Sequence, residues 1–181
     1  MVSALDVARQ FVLLAERDGE LVDQLRLYKL MYYAQGWALA WYKEPLFADR
    51  IEAWPLGPVP AETRGALQAF GKNPVRDLGP PESLTDRAGQ IIESVWHGYR
   101  KHSSIGLSEL THQEAPWKDA YRPANGAAHA VISEDALCEY FGAVHERETG
   151  EPAGSLAEAD RAYHEGRTVS LDDVLEELSR P

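Results

Sequence analysis

Through most of this chain, apolar residues recur at the three- and four-residue spacing of an α-helix. Leu5, Ala8, Phe11, Val12 and Ala15 line a first helix. Ser3 precedes Asp6 by three residues, the spacing at which a cap and a first-turn acid satisfy orphan N–H groups, and Gly19 closes the segment. A second helix runs from about Asp23 to Tyr42. Leu27, Leu30, Met31, Ala34, Trp37, Ala38 and Trp41 form one apolar face, and Tyr28, Tyr32, Leu39 and Tyr42 form another. A helix apolar on most sides is buried on most sides, and Ala34, Gly36, Ala38 and Ala40 let neighbours come close. Gly36 costs roughly 1 kcal/mol against alanine, while each large buried side chain contributes about 1.5–3 kcal/mol. Packing wins, which makes this the central helix of the core.

The remaining pattern is shorter-ranged. IEAWPLGPVP (51–60) cannot be a continuous helix, because Pro55, Pro58 and Pro60 forbid it. It reads as an extended piece over 50–54 and a rigid turn into a helix from about 60 to 70, capped by Gly71 and followed by a loop over 71–83. Thr85 opens a helix to about 101 with Ala88, Ile91, Ile92, Val95, Trp96 and Tyr99 inward. Ser103 or Ser104 caps a short helix over 105–111, and 115–123 adds another turn or two. Val131 and Ile132 suit a small two-stranded patch with 51–54. Ser133 starts a helix carrying Leu137, Tyr140 and Phe141. The pattern therefore predicts a mainly α fold: a compact helical domain over 1–147 around a central aromatic helix, a linker over 148–154, and a helical tail over 155–181. In the tail, Ser155 caps one short helix, Gly166 ends it, and Ser170 with Asp173 starts the last.

Charge narrows the function. The chain of 181 residues carries a net charge of −11 and no basic run longer than Arg100–Lys101. Nucleic-acid binders need lysine and arginine to displace counterions from phosphate, so a base-stacking role for the aromatic helix is disfavoured. The region 142–181 holds 10 acids against 4 bases, which is −6 of that total. Cys138 is the single cysteine, so neither an internal disulfide nor a cysteine-built zinc site can form. The segment MVSALDVARQ lacks an unbroken apolar run and reads as neither signal peptide nor membrane span, which fits a cytoplasmic protein.

Candidate chemistry is sparse. His97, His102, His112, Glu114 and Cys138 are the groups that could serve a site. His112 and Glu114 are two apart, which on a helix directs them to different sides, and His97 and His102 are five apart. There is no H-E-x-x-H, G-x-S-x-G, phosphate-binding loop or dinucleotide fingerprint. No catalytic residue, cofactor or metal is expected. His112 and Glu114 read as polar linchpins beside Trp117, and Cys138 as a small buried hydrophobe. An enzyme built on His112 and Glu114 is the rival reading.

Four blocks carry a likeness: YKLMYYAQGWALAWYKEPLF, IEAWPLGPVPAETRGAL, LSELTHQEAPWKDAY and VISEDALCEYF. In this order, over roughly residues 4 to 141, the chain resembles the Panacea family, the SocA-like antitoxin domain also described as a GepA-like phage-associated domain. The resemblance implies a mainly helical antitoxin of a type II toxin–antitoxin pair, in a prophage or mobile element, with no enzymatic activity. Lys29, Tyr33, Gln35, Gly36, Trp37, Trp54, Gly57, Pro58, Ser108, His112 and Trp117 carry the motif and are assigned a structural role by it. Residues 157–178 also resemble the acidic toxin-wrapping segments of small antitoxins of the Phd, RelB and ParD kinds. There Leu171, Val174, Leu175 and Leu178 form an apolar stripe flanked by Asp172 and Asp173, a candidate toxin contact. Docking of the same stripe on the chain's own core is the alternative. The partner expected is a basic protein toxin encoded nearby; a homo-oligomer is compatible with the sequence, and a membrane or nucleic-acid partner is not expected. A protease adaptor that delivers the toxin for destruction is the second function considered.

Overall fold

A computed structural model describes residues 2–121 and 129–164. Helix α1, Ala4–Arg17, starts where Ser3 Oγ accepts from the Asp6 amide at 3.1 Å. Helix α2, Gln24–Tyr42, starts where Asp23 accepts from the Arg26 amide at 2.8 Å. Thr85 caps α4 (Asp86–Tyr99), Ser103 caps α5 (Ser104–Gln113) and Ser133 caps α7 (Glu134–Thr149), each accepting from the third residue on. Between them lie α3 (Ala61–Leu67), continued by a 3-10 turn to Phe70, and α6 (Ala115–Ala120). These starts agree with the sequence reading. Helix α8 (Ser155–His164) does not begin as expected: Ser155 lies inside it, its buried hydroxyl has no partner among the described residues, and Gly154 O accepts the first helical bond.

The centre of the fold is α2. Every residue from Arg26 to Gly36 is buried, because α1, α4, α5, α7 and the sheet surround it. Tyr32 and Tyr33 are essentially inaccessible, whereas Trp37, Trp41 and Tyr42 are half-buried against the core edge. Helix α7 approaches α2 at Gly36, where an added Cβ would lie 2.2 Å from Phe141 Cε2. That ring is itself packed by Tyr32, Tyr33 and Trp37 and has nowhere to retreat. Gly36→Ala should therefore lose about 2 kcal/mol, an overpacking cost of roughly 3 kcal/mol less roughly 1 kcal/mol of helix propensity. Urea unfolding measures this, and wild-type stability would show that α7 yields easily.

The sheet has one strand more than the sequence predicts. Strand β1 (Ile51–Trp54) is central, flanked by β2 (Gly57–Pro60) and β3 (Val131–Ile132), both antiparallel. The β1–β3 pairing is the expected patch. Strand β2 replaces what reads as a rigid turn into a helix. Its register pairs Ala53 with Pro58 and Ile51 with Pro60, alternating with Trp54–Gly57 and Glu52–Val59. The prolines thus sit at the positions where an antiparallel ladder needs no N–H, on an edge strand, the one place a sheet tolerates them.

Helix α7 extends two residues into the stretch read as a linker and stops at Gly150. Gly154 then donates its amide to Ala40 O at 2.8 Å, so this connection is latched to α2. No described helix is long and apolar enough to cross a membrane.

Candidate functional site

Seven of the motif residues, Lys29, Trp54, Gly57, Pro58, Ser108, His112 and Trp117, meet at the β1–β2 hairpin, whereas Tyr33, Gln35, Gly36 and Trp37 contact other parts of the core. Three alternate backbone carbonyls of the hairpin are each held by a side chain from a different helix. Trp117 Nε1 of α6 donates to Trp54 O at 2.9 Å, Ser108 Oγ of α5 to Leu56 O at 2.7 Å, and Lys29 Nζ of α2 to Pro58 O at 2.8 Å. The hairpin therefore cannot twist without breaking a bond on one side. Gly57 sits in the middle with φ +102°, and a Cβ there would meet Lys29 Cε at 2.6 Å and Thr111 Oγ1 at 2.7 Å. The His112 ring stacks on Trp117 at 4.1 Å and lies against the Pro55 backbone. Its Nε2 is buried with no partner among the described residues. Burial, then the Lys29 charge, holds the His112 pKa below its ordinary value.

Lys29 is wholly buried, and burial lowers its pKa to about 7. Its one described acceptor is a neutral carbonyl, so no counter-charge offsets the desolvation of the ammonium. Glu114, half-buried, meets α2 one helical turn on from Lys29, at Tyr32 and Tyr33. Its backbone ends α5 and begins α6, with its N–H donating to Thr111 O and its O accepting from Lys118 N. Its carboxylate accepts from Tyr32 at 2.7 Å and Tyr33 at 3.0 Å, while burial raises its pKa to about 7. Tyr33 stacks on Tyr99 at 3.9 Å, and the Tyr99 hydroxyl accepts from Trp37 Nε1 at 3.1 Å. Burial raises the pKa of all three tyrosines. Gln35 makes a further clamp: it accepts from the amides of Leu46 and Phe47 and donates to Phe47 O at 3.0 Å.

His112 and Glu114 thus bond different partners, His112 on the hairpin side and Glu114 among tyrosines. His97 is exposed beside Glu93 at 3.8 Å, and His102 is exposed near Tyr99. Cys138 is half-buried, with Leu39 O and Lys43 Nζ each at 3.6 Å. Among the described residues no group of three His, Cys, Asp or Glu side chains could hold a metal ion. The tail residues Leu171, Asp172, Asp173, Val174, Leu175 and Leu178 lie outside the described residues. The hairpin carbonyl clamp has no local signature. Its one hint is a lysine placed inside an otherwise apolar helix, at position 29.

The family model "Antitoxin SocA-like, Panacea domain" matches residues 27–118, half of the chain, from the first turn of α2 into α6. The chain belongs to the SocA-like antitoxin Panacea family. The matched span of the Panacea domain contains the whole hairpin clamp, Lys29, Gly57, Ser108, Thr111, His112 and Trp117, and also Glu114 with its tyrosines. Neither the curated proteins nor the solved structures contain a match to the chain.

Proposed function

We propose that this protein is the antitoxin of a type II toxin–antitoxin pair, acting in the cytoplasm and holding a cognate protein toxin inactive by direct contact. Membership of the SocA-like antitoxin family is the observation that carries this reading. The net charge of −11 favours a basic partner, since complementary potentials speed encounter. A non-catalytic role is supported by how the polar groups are spent. Lys29, Ser108 and Trp117 hold hairpin carbonyls, and Glu114 binds two tyrosines, so each is committed to the protein's own interior.

Co-expression with the growth inhibitor encoded in the neighbouring reading frame should restore growth and yield a stable complex. Growth restored while the toxin disappears would point instead to delivery to a protease. The tail is tested separately by ending the chain after His164, which leaves α8 in place, and by Leu175→Asp. A charge forced into an apolar contact should weaken neutralisation at least ~10-fold. Undiminished rescue by either variant would remove the tail as the main contact.

A further inference from the structure

The two most exposed large apolar side chains among the described residues, Ile105 at 60% and Leu56 at 59%, sit on elements that one hydrogen bond joins. Leu56 is at the tip of the hairpin, with its carbonyl held by Ser108, and Ile105 lies one turn before Ser108 on α5. Beside the tip is a hollow of about 370 Å³, walled by Leu25, Tyr28, Trp54, Val59 and Leu56 itself. The one charged residue in its wall is Arg64, whose guanidinium lies 4.6 Å from the Trp54 ring centre and donates to Gln68 at 3.2 Å. The grooves beside α7 and α8 differ in kind: Asp135, Glu139 and Glu146 line one, and Glu44 and Glu158 the other. The tip also has an acid for a neighbour. Glu109 is exposed, follows Ser108, and acts on the charge of His112, which itself lies against the Pro55 backbone.

We propose that this face is an interface between two copies of the chain related by a two-fold axis. Leu56 of each copy enters the hollow of the other, and Glu109 of each meets Arg64 of the other. The face carries both halves of the contact: an apolar knob with an acid beside it, and an apolar hollow with a cation in its wall. A two-fold axis requires such self-complementarity, since each side then supplies the same pair. Charge selects the occupant. The hollow offers a cation and no carboxylate, so it suits an acidic partner, and a chain of net charge −11 is one. Two such chains repel across their acidic surfaces, and an apolar hollow walled without acids is where they can meet at least cost. The knob is also preorganised: Lys29, Ser108 and Trp117 hold the hairpin carbonyls, so little ordering cost falls on association. This inference goes beyond the antitoxin reading and stands without it.

The test uses the full chain alone. Sedimentation should show monomer and dimer exchanging over roughly 1–100 μM, the range of a small interface. Leu56→Asp should keep the thermal midpoint, because the side chain is exposed, and weaken self-association at least ~30-fold. Arg64→Glu and Glu109→Arg should each weaken it ~5–20-fold, because each sets like charges together twice in the dimer. Mixed in equal amounts, those two variants should pair with each other at near wild-type strength, since every contact then joins an acid to a base. A wild-type chain that stays monomeric throughout that range would overturn the interface. So would a dimer indifferent to Leu56→Asp, or charge variants that fail to rescue each other. A dimer lost when the chain ends after His164 would assign the contact to the tail, and a monomeric wild type whose toxin binding falls with Leu56→Asp would assign the hollow to the toxin; either result overturns the proposal. None of them touches the antitoxin reading, which growth rescue decides.

Discussion

Stability is expected to pass through a minimum near pH 7, falling as pH rises from 5 and recovering towards 9. Glu114 and Lys29 produce the two limbs. Burial raises the Glu114 pKa from 4.5 to about 7, so its contribution is fully present below 4.5 and lost as pH climbs to about 7. Burial lowers the Lys29 pKa from 10.5 to about 7, so its contribution is present above 10.5 and lost as pH falls to about 7. At neutral pH each group is taken from its favoured state in the unfolded chain into an interior that disfavours charge. Either limb should amount to about 2–3 kcal/mol between pH 5 and 9. His112, with its lowered pKa, opposes Glu114 in the acid window, but it is half-exposed and its share is smaller. Below about pH 4 a separate loss sets in as Asp18 is protonated, because Arg17 first and Trp96 second hold its pKa far below the carboxylate range. Urea unfolding at pH 5, 7 and 9 reads the profile. Glu114→Gln should remove the acid-side fall, and Lys29→Met the alkaline recovery. A flat wild-type profile would show that water or charge reaches both side chains.

Gly57→Ala should cost about 4 kcal/mol, roughly 1–3 kcal/mol from the backbone and a similar amount from steric overlap. At φ +102° a residue with a Cβ is strained whatever surrounds it. Here the Cβ would also press on Lys29 Cε and Thr111 Oγ1, in two fully buried side chains tethered by the Lys29 Nζ and Thr111 Oγ1 hydrogen bonds. Gly19 is the control: its φ is +71° and a Cβ there would meet nothing within 4 Å, so Gly19→Ala should cost only about 1–2 kcal/mol. Equal losses for the two variants in chemical denaturation would refute a tight clamp. A larger loss for Gly57→Ala, with reduced partner binding, would tie the hairpin's shape to its use.

The helices were legible because their signals are local. Ser3, Asp23, Thr85, Ser103 and Ser133 each bond an amide three residues away, and the periodicity that follows belongs to the same segment. Strand β2 was not legible for the opposite reason. Whether Pro58 and Pro60 are tolerated depends on which register β1 offers them, and proline count alone argues against a strand. The site divides in the same way. The sequence singled out Lys29, Ser108, His112 and Trp117, but their shared purpose exists only where three helices meet one turn. Glu114 shows the limit most clearly. The sequence reading made it a polar linchpin with His112 beside Trp117, yet α5 ends between them and the carboxylate goes to Tyr32 and Tyr33, which lie some eighty residues away in the chain.

The latch of Gly154 onto Ala40 fixes where α8 begins against the far end of α2. At about 1.5 Å per residue, that point lies roughly 20 Å along α2 from the Leu25–Tyr28 stretch beside the hairpin. A partner that touched both the start of α8 and the hairpin tip would have to span that distance, about the breadth of a small globular domain. The buried helix would then act as a ruler, and its length would set which partners can reach both ends.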